Sequence, residues 1–276
     1  MIYIQLGGRL GNQLFQWATA LNVQKAHGPV TLVFDEYHQS SPSPLLNELA
    51  QGQIAIRKRN SIGRLLQLED RFFSRRPILK NMIKTETDPY SIFSTLPSGV
   101  RVLRGFYQNW QNVSFSKAAI FEKLDQVIER QLQKSTKIQR INQELGSFRA
   151  VHIRQGDYRY SNFSLLSPEF YQINQLQSNG PVVVFSDRDD LPNEFKLATN
   201  PDFIFSPNNL SAEDSFALMS RAKELMIANS TFSWWAGFIA LQKGSKVFIP
   251  NPWFKDGTAG TALNYPGMIQ APSLFV

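Results

Sequence analysis

The sequence predicts an α/β protein of two domains, each built around a doubly wound parallel sheet. Short apolar runs typical of strands alternate with segments of helical periodicity along both halves of the chain. The 276 residues are enough for two domains of ordinary size. With 42% hydrophobic and 18% charged residues, the composition is that of a globular chain with an apolar core, not of a disordered one.

The first 35 residues form a strand–helix–strand pattern with glycines at the start of the helix. Residues 2–6 alternate as in a strand, residues 7–11 contain three glycines, and residues 14–21 have helical apolar spacing. Residues 29–35 then resemble a buried strand. Backbone N–H groups and the helix dipole favour an anion at such a helix start.

The middle of the chain is less regular. Residues 40–97 have no clear period, and the Ser-Pro repeat at residues 41–44 predicts a turn-rich break. Residues 100–107 resemble a strand and residues 116–134 a helix. The pattern then fades, and we predict the domain boundary there, with domains at residues 1–146 and 147–276.

The second half alternates strands and helices more plainly. The hydroxyl and acidic residues from Ser211 onward predict a helix start, and an apolar helix is predicted from Thr231 to residue 243. The last strand is expected to end before Pro250. The predicted strands cover residues 150–154, 182–185, 203–205, 225–228 and 247–249.

Charge and residue usage exclude several function classes. The chain has no cysteine, so disulfides, thiolate metal sites and cysteine nucleophiles are excluded. It has no apolar run long enough for a membrane helix and begins directly with a strand pattern, which predicts a cytoplasmic protein. Residues 57–84 contain nine basic and two acidic residues. This window fits a solvated face, contact with an anionic membrane surface or a phosphorylated substrate. No nucleic-acid-binding motif is present, so nucleic acid is not an expected partner.

Polar residues just after the strands are the first candidates for a site, because ligands of doubly wound sheets bind there. The first group includes Gly8, Gly11 and Asn12. It matches part of a dinucleotide fingerprint: Leu6 replaces the first glycine, and Asp35 lies where an acid would bind a ribose. A nicotinamide-dependent oxidoreductase is therefore an open alternative, whereas the amide of Asn12 favours a polyhydroxylated ligand.

The second group follows the strand at residues 150–154. Alternation directs His152 and Arg154 to the same side of the sheet, and Asp157 follows across a glycine turn. A guanidinium offers a permanently charged fork that fits a phosphate. An Arg154–Asp157 pair that only fastens the loop is the structural alternative.

The third group is the D-x-D pair of Asp187 and Asp189, after the strand at residues 182–185. Two carboxylates in this spacing fit a divalent metal bound with a sugar nucleotide, so a metal-dependent glycosyltransferase is a second alternative. A solvated acidic turn before the next helix explains Asp189 equally well.

The fourth group joins a strand to an apolar helix. It contains Asn229, Ser230, Thr231 and Ser233. Ser230 and Thr231 are expected to cap the helix, whose first N–H groups form a second anion site. Trp234 and Trp235 are predicted to lie in the core, because the helix is apolar on all sides.

Taken in order, these groups resemble the motifs of glycosyltransferase family 11, the α-1,2-fucosyltransferases, in its bacterial form. Each motif is weak alone, but the ordered set is specific and extends along nearly the whole chain. The matching segments are residues 7–16, 105–108, 152–158, 185–187, 228–235 and 247–254.

The resemblance implies a GT-B fold, in which two Rossmann-like domains face a cleft. GDP-fucose would bind mainly to residues 147–276, and a galactose-terminated oligosaccharide would approach from residues 1–146. The implied reaction inverts the anomeric carbon, forms an α-1,2 glycoside, and needs neither a metal nor another cofactor.

The resemblance also implies roles for single residues. Arg154 would hold the diphosphate and stabilise the departing GDP, Asp157 would be the general base, and Asn12 a positioning residue. His152 and Asp187 would contact the guanosine. The residues expected to contact the donor are Gly8, Gly11, Asn12, His152, Arg154, Asp187, Asn229, Ser230, Thr231 and Ser233.

One position departs from the family pattern. The usual motif is H-x-R-R-x-D, and Gln155 replaces its second arginine. If the strand continues, alternation turns this side chain away from Arg154. We therefore expect retained activity, with fewer cations on the leaving group.

Three hypotheses remain open from the sequence. The fucosyltransferase accounts for all four groups, whereas a nicotinamide-dependent oxidoreductase accounts only for the first. A non-enzymatic carbohydrate- or nucleotide-binding protein would need the same pockets but gives no reason for Arg154 and Asp157 together.

Overall fold

The structure is a computed structural model that describes residues 1–34, 41–58, 83–85, 96, 99, 102–156, 164–173 and 176–276. Asp35, Asp157 and most of residues 57–84 lie outside the described residues. Contacts divide the chain into two compact units, Met1–Ile120 and Phe121–Val276. In the described part of the chain, no helix combines the length and apolarity needed to cross a membrane.

The first unit contains a parallel five-stranded sheet with the order β3-β2-β1-β5-β4. The strand order reverses between β1 and β5, so the glycine turn after β1 opens at the switch point of this sheet. The strands are β1 Ile2–Gln5, β2 Val30–Phe34, β3 Ala55–Lys58, β4 Ile83–Thr85 and β5 Val102–Arg104. The described helices are α1 Leu10–His27, α2 Pro44–Ala50 and α3 Trp110–Phe115.

Helix α1 is buried around most of its circumference and supplies much of the first core. Leu14, Phe15 and Trp17 are completely buried, as are Ile4 of β1 and Leu103 of β5. Each such side chain contributes about 1.5–3 kcal/mol of apolar burial. This packing fixes the start of α1 against the ends of β1 and β5.

The second unit contains a parallel six-stranded sheet with the order β11-β10-β9-β6-β7-β8. The strands β6, β7 and β8 follow one another towards one side of the sheet, and β9, β10 and β11 follow one another towards the other side. The switch point of the sheet therefore lies between β6 and β9. The strands are β6 Arg149–Ile153, β7 Val182–Ser186, β8 Phe203–Phe205, β9 Glu224–Met226, β10 Lys246–Asn251 and β11 Ile269–Pro272. The described helices are α4 Lys117–Gln133, α5 Thr136–Leu145, α6 Pro168–Ile173, α7 Asn193–Thr199, α8 Ala212–Met219 and α9 Thr231–Gln242.

The two predicted doubly wound parallel sheets are confirmed. In the second sheet Val151 pairs with Met226, and His152 pairs with Phe185. The segments that follow β6, β7 and β9 therefore leave the same edge of the sheet, where three of the four candidate groups lie. That the two domains face a common cleft stays a prediction.

The second compact unit begins earlier than the predicted boundary between residues 146 and 147. That boundary coincides with the start of the second sheet. The unit itself begins at Phe121 and includes nearly all of α4 and the whole of α5. Lys243, just after α9, forms ion pairs with Asp125 and Glu129 of α4 at 2.5 and 3.0 Å. The predicted boundary therefore lies at the entry to the second sheet, and its role as a domain boundary stays a prediction.

Residues 40–97 contain more regular structure than their sequence predicts, including α2, β3 and β4. The turn-like Ser-Pro sequence at residues 43 and 44 is a helix start. The Ser43 Oγ accepts a hydrogen bond from the Leu46 N–H at 3.2 Å, and Pro44 occupies the first helical position.

The strand β10 runs through Pro250, where the sequence predicted its end. The Phe248 carbonyl accepts from the Ile227 N–H on the β9 side, and residue 250 faces that same side by alternation. The ladder with β9 ends at Phe248, so Pro250 lacks an N–H where no partner strand needs one. Pairing with β11 continues to Asn251.

Gly237 marks a close approach of α9 to the sheet and gives a test of the packing. A Cβ at this position would lie 2.9 Å from Val247 Cγ1 and 3.3 Å from Ile227 Cγ2. Helix propensity alone predicts that Gly237→Ala stabilises the protein by about 1 kcal/mol. We expect overpacking against these stiff, buried side chains to outweigh it, with a net loss of about 1–2 kcal/mol in urea unfolding. A more stable variant would show that the helix has room to move.

Candidate active site

The carboxylate of Asp187 joins the ends of β6 and β7. Its Oδ2 forms an ion pair with Arg154 Nη1 at 2.8 Å, and its Oδ1 accepts from the N–H groups of Gln155 and Gly156 at 2.8 and 3.2 Å. The side chains of Arg154 and Asp187 are only 13% and 15% exposed. Charge-assisted hydrogen bonds of this kind fix the loop after β6 and hold the guanidinium at the switch point.

Gly156 is needed for this arrangement. A Cβ there would lie 2.4 Å from Asp187 Oδ2, closer than any side chain tolerates. The sequence predicts a glycine turn here but does not show this reason for it. A glycine between an arginine and an acid at a strand end is the signal that could have indicated a close carboxylate.

His152 lies at the end of β6 and is almost completely buried. Burial is the main cause that lowers the pKa of His152 to about 4; the positive charge of Arg154 lowers it further, whereas Asp187 raises it. The imidazole is therefore neutral at pH 7. Its Nδ1 has no hydrogen-bond partner among the described residues.

Helix α9 begins at the same edge of the sheet. Ser230 is its N-cap residue, without a side-chain cap hydrogen bond, and no acidic residue occupies the first turn. The ring of Phe232 lies 5.8 Å from that of His152, centroid to centroid, so the first turn of α9 contacts the end of β6. Ser230, Thr231, His152, Arg154 and Asp187 are thus brought to one edge, with the positive end of a helix dipole among them.

Asn229 and Ser233 do not have the geometry expected of ligand contacts. Asn229 is buried, and its Nδ2 donates to the Ser164 carbonyl at 2.7 Å. The Ser233 hydroxyl is fully buried and donates to the carbonyls of Ser230 and Ala228 at 3.2 and 3.4 Å. The Ser233 proton is used within its own turn in this structure, and its donation to a phosphate stays a prediction.

The two carboxylates of the D-x-D pair do not act together. Asp187 holds Arg154, whereas Asp189 Oδ1 accepts from Ser206 Oγ and the Asn208 N–H at 2.7 and 2.8 Å, which fastens the loop after β8. No group of three or more histidine or acidic side chains in the described part of the chain is arranged to hold a metal ion.

Gln155 does not continue the strand. Since β6 ends at Ile153, simple alternation no longer places this side chain, and Gln155 is completely buried. Its N–H is one of the two that bind Asp187. An uncharged residue suits this interior position, because a buried cation would need its own partner.

The glycine turn of the first unit is held by amide side chains. Gly8 has φ +69°, and a Cβ there would lie 2.3 Å from Asn12 Nδ2, so Asn12 lies directly against the backbone of the turn. Asn12 Oδ1 accepts from Gln108 Nε2 at 2.9 Å. Gly11 is buried in the first turn of α1. Gln108 belongs to a matched motif, but the sequence assigned it no role.

Two buried glutamines fix this turn to its surroundings. Gln16 accepts from the Gly7 N–H and donates to the carbonyls of Gln5 and Gly105, which joins β1, the turn and the end of β5. Gln13 donates to the Gly8 carbonyl at 3.1 Å. The sequence favoured the amides at residues 12 and 13 for a polyhydroxylated ligand. In the structure the Gln13 amide, like that of Gln16, supports the turn internally.

Comparison with known proteins identifies the family to which the chain belongs. Residues 69–259 match the sequence model of glycosyl transferase family 11. The chain belongs to glycosyltransferase family 11. It is therefore a glycosyltransferase, and this membership argues against the oxidoreductase and non-enzymatic hypotheses.

Individual relatives of this family-11 chain come from bacterial glycan synthesis. It is 27% identical to the O-antigen biosynthesis glycosyltransferase WbnK of Escherichia coli, over 92% of this chain and 95% of that protein. A 120-residue stretch is 33% identical to an alpha-1,2-colitosyltransferase of Escherichia coli, over 38% of this chain and 41% of that protein.

Solved structures similar to it include two glycosyltransferases. The fucosyltransferase NodZ from Bradyrhizobium matches with a TM-score of 0.45 and 16% identity, over 85% of this chain and 92% of that chain. The Escherichia coli heptosyltransferase WaaC with ADP matches with a TM-score of 0.49 and 10% identity, over 98% and 92%.

The lowered pKa of His152 predicts how stability depends on pH. The unfolded histidine titrates near 6.5, so between pH 6.5 and about 4 the unfolded state binds the proton that the folded state does not. The favourable contribution of neutral His152 is therefore complete above pH 6.5 and is lost as the pH falls towards 4. Urea unfolding of wild type and His152→Gln should show a difference in free energy of unfolding that shrinks by about 3 kcal/mol from pH 7 to 4. A difference independent of pH would mean that His152 titrates normally.

Proposed function

We propose that this family-11 enzyme transfers L-fucose from GDP-β-L-fucose to the 2-hydroxyl of a terminal galactose, with inversion and without a metal ion. The observation that carries the proposal is Arg154, held by Asp187 at the sheet edge where α9 begins. A fixed cation and a helix N-terminus are the groups that a diphosphate leaving group requires. A guanidinium has five N–H donors, so it can bind a carboxylate and a phosphate together.

In the proposed reaction the galactose O2 attacks C1 of fucose from the face opposite to the diphosphate. The bond from C1 to the phosphate oxygen breaks, its electron pair leaves with GDP, and the O2 proton passes to a base. Negative charge develops on the β-phosphate as the bond breaks, and a preorganised cation in a poorly hydrated site stabilises it. Removal of one such donor typically lowers the rate by about 100-fold or more.

Asp157 is proposed as the general base and Asn12 as the residue that positions the acceptor hydroxyl. Asp157 lies outside the described residues, one position after the glycine whose N–H binds Asp187. The family motif places a carboxylate there, and proton removal from a hydroxyl requires a base within hydrogen-bond reach.

His152 and Asp187 are proposed to contact the guanosine. A neutral, buried imidazole can accept or donate a hydrogen bond to a base, and the unpartnered Nδ1 supports this role. Asp187 has a second duty in the structure, because its ion pair with Arg154 couples recognition of the base to the placement of the cation. Thr231 and the backbone of Ser230 complete the proposed phosphate site at the start of α9.

Two donor sugars are candidates, fucose and colitose, and an experiment distinguishes them. Fucose is favoured by the motif resemblance, and the partial match to an alpha-1,2-colitosyltransferase makes colitose the competing sugar. The O-antigen relative favours a surface polysaccharide as the source of the galactose-terminated acceptor. A donor and acceptor screen with linkage analysis by NMR tests both substrates.

A cytoplasmic location and membrane contact through residues 57–84 stay predictions.

Replacement of Arg154 tests the proposed phosphate site. We expect Arg154→Ala to lower kcat by about 100-fold or more, because the charge on the departing GDP loses its cation. Arg154→Lys, which keeps the charge but loses the planar fork, should be intermediate. Arg221→Ala is the matched control, since Arg221 is a partly exposed arginine of the same unit paired with Glu129. Circular dichroism and thermal unfolding verify the fold, and a near wild-type rate for Arg154→Ala would refute the assignment.

Chelation tests the metal-independent mechanism. Turnover should be unchanged in excess EDTA, because Arg154 and the α9 N-terminus supply the positive potential that a metal would otherwise provide. Asp189→Asn should reduce stability through its loop but retain most of the activity, since Asp189 binds Ser206 and Asn208. Activity that is lost in EDTA and restored by manganese would support the D-x-D alternative instead.

A further inference from the structure

A large aromatic side chain is exposed at the switch point of the first sheet. Phe106 lies two residues after the end of β5 and is 45% exposed. Its neighbour Tyr107 is completely buried and adopts φ +55°, so the backbone turns sharply and directs the two rings differently. Exposure of an aromatic ring at the edge where ligands bind is more informative than an exposed apolar residue elsewhere.

The ring of Phe106 lies against the glycine turn. A Cβ on Gly7 would be 3.3 Å from Phe106 Cε1, so the absence of a side chain at residue 7 lets the ring approach the backbone. Gln16 binds both the Gly7 N–H and the Gly105 carbonyl, which holds the two segments together. The ring is therefore supported on one side by a fixed backbone.

Neutral hydrogen-bonding groups lie on the same two segments. Gln108 stands two residues after Phe106 and donates from Nε2 to Asn12 Oδ1 at 2.9 Å. Both amides are only partly buried. Each carries a second donor or acceptor function besides the one in this bond. An apolar ring next to paired amides is the combination that binds a sugar, which has one face rich in C–H groups and a rim of hydroxyls.

We propose that Phe106, Gln108 and Asn12 form a subsite for a neutral pyranose, the terminal galactose of the acceptor. The ring packs against the C–H face of the sugar, and the amides bind its hydroxyls. The assignment rests on the proposed function for the identity of the sugar, but the subsite itself is defined by the ring and the amides. Arg9, exposed in the same turn, makes an anion the competing occupant.

Phe106→Ala is the decisive variant, and Phe115→Ala is its matched control. Phe115 is a similarly exposed phenylalanine of the same unit, 51% exposed at the end of α3. We expect Phe106→Ala to raise KM for methyl β-D-galactoside about tenfold, with kcat and the calorimetric Kd for GDP changed less than twofold. Phe115→Ala should change none of these. Gln108→Ala should also raise the acceptor KM without altering GDP binding.

Equilibrium binding separates failure of the subsite from failure of the proposed function. Saturation-transfer NMR with methyl β-D-galactoside in the presence of GDP should show contact in wild type and its loss in Phe106→Ala, whether or not fucose is transferred. If wild type transfers no fucose yet shows this contact, the function fails and the subsite stands. The subsite is overturned if wild type shows no contact, if Phe106→Ala leaves sugar binding unchanged, or if the variant instead weakens binding of inorganic pyrophosphate.

Discussion

The ion pair of Arg154 with Asp187 is the constraint on which the candidate active site depends. Both side chains are mostly buried, and either charge without the other would cost several kcal/mol in a poorly hydrated place. The two N–H groups that also bind Asp187 come from the residues just after Arg154. The cation, the loop and the carboxylate therefore depend on one another for their positions, which explains the glycine at residue 156.

The loops at the switch points of the two sheets are fixed by different kinds of interaction. At the switch point of the second unit an ion pair fixes the loops, and the chemistry there is suited to an anion. At the switch point of the first unit, Gln13 and Gln16 bind backbone carbonyls, and the groups left at the rim include an amide pair and an aromatic ring. A glycosyl transfer needs both kinds of place, one for a charged nucleotide and one for a neutral sugar.

Much of the fold could be predicted from the sequence, because buried parallel strands have short, continuous apolar runs that local pattern identifies. Five of the six strands of the second sheet were predicted this way, whereas β11 was not. Trp234 and Trp235 are core residues as expected. Local pattern does not show contacts that are distant in sequence, such as the ion pair of Lys243 with Asp125 that joins the end of α9 to α4. It failed at residue 43 because a Ser-Pro pair begins helices as well as turns.

The sequence predicted which residues belong to the candidate site better than it predicted what each of them contacts. The sequence pattern indicated that these residues lie at or just after the ends of strands: His152, Arg154, Asp187 and Ser230. It could not show that Asp187 would bind Arg154 rather than a metal, because the partner of a carboxylate depends on the register between β6 and β7. Nor could it show that Ser233 turns its hydroxyl inward, since a serine after a helix cap serves the helix or a ligand equally well.

The early start of the second unit has a consequence for how such enzymes can be recombined. A hybrid that joins the first unit of one relative to the second unit of another must keep α5 and nearly all of α4 with the second sheet. A crossover at residue 147 would separate Lys243 from Asp125 and Glu129 and leave an apolar helical face without its cognate core. A crossover near Phe121 preserves both cores, so inherited exchanges of specificity among homologous chains should have their breakpoints there.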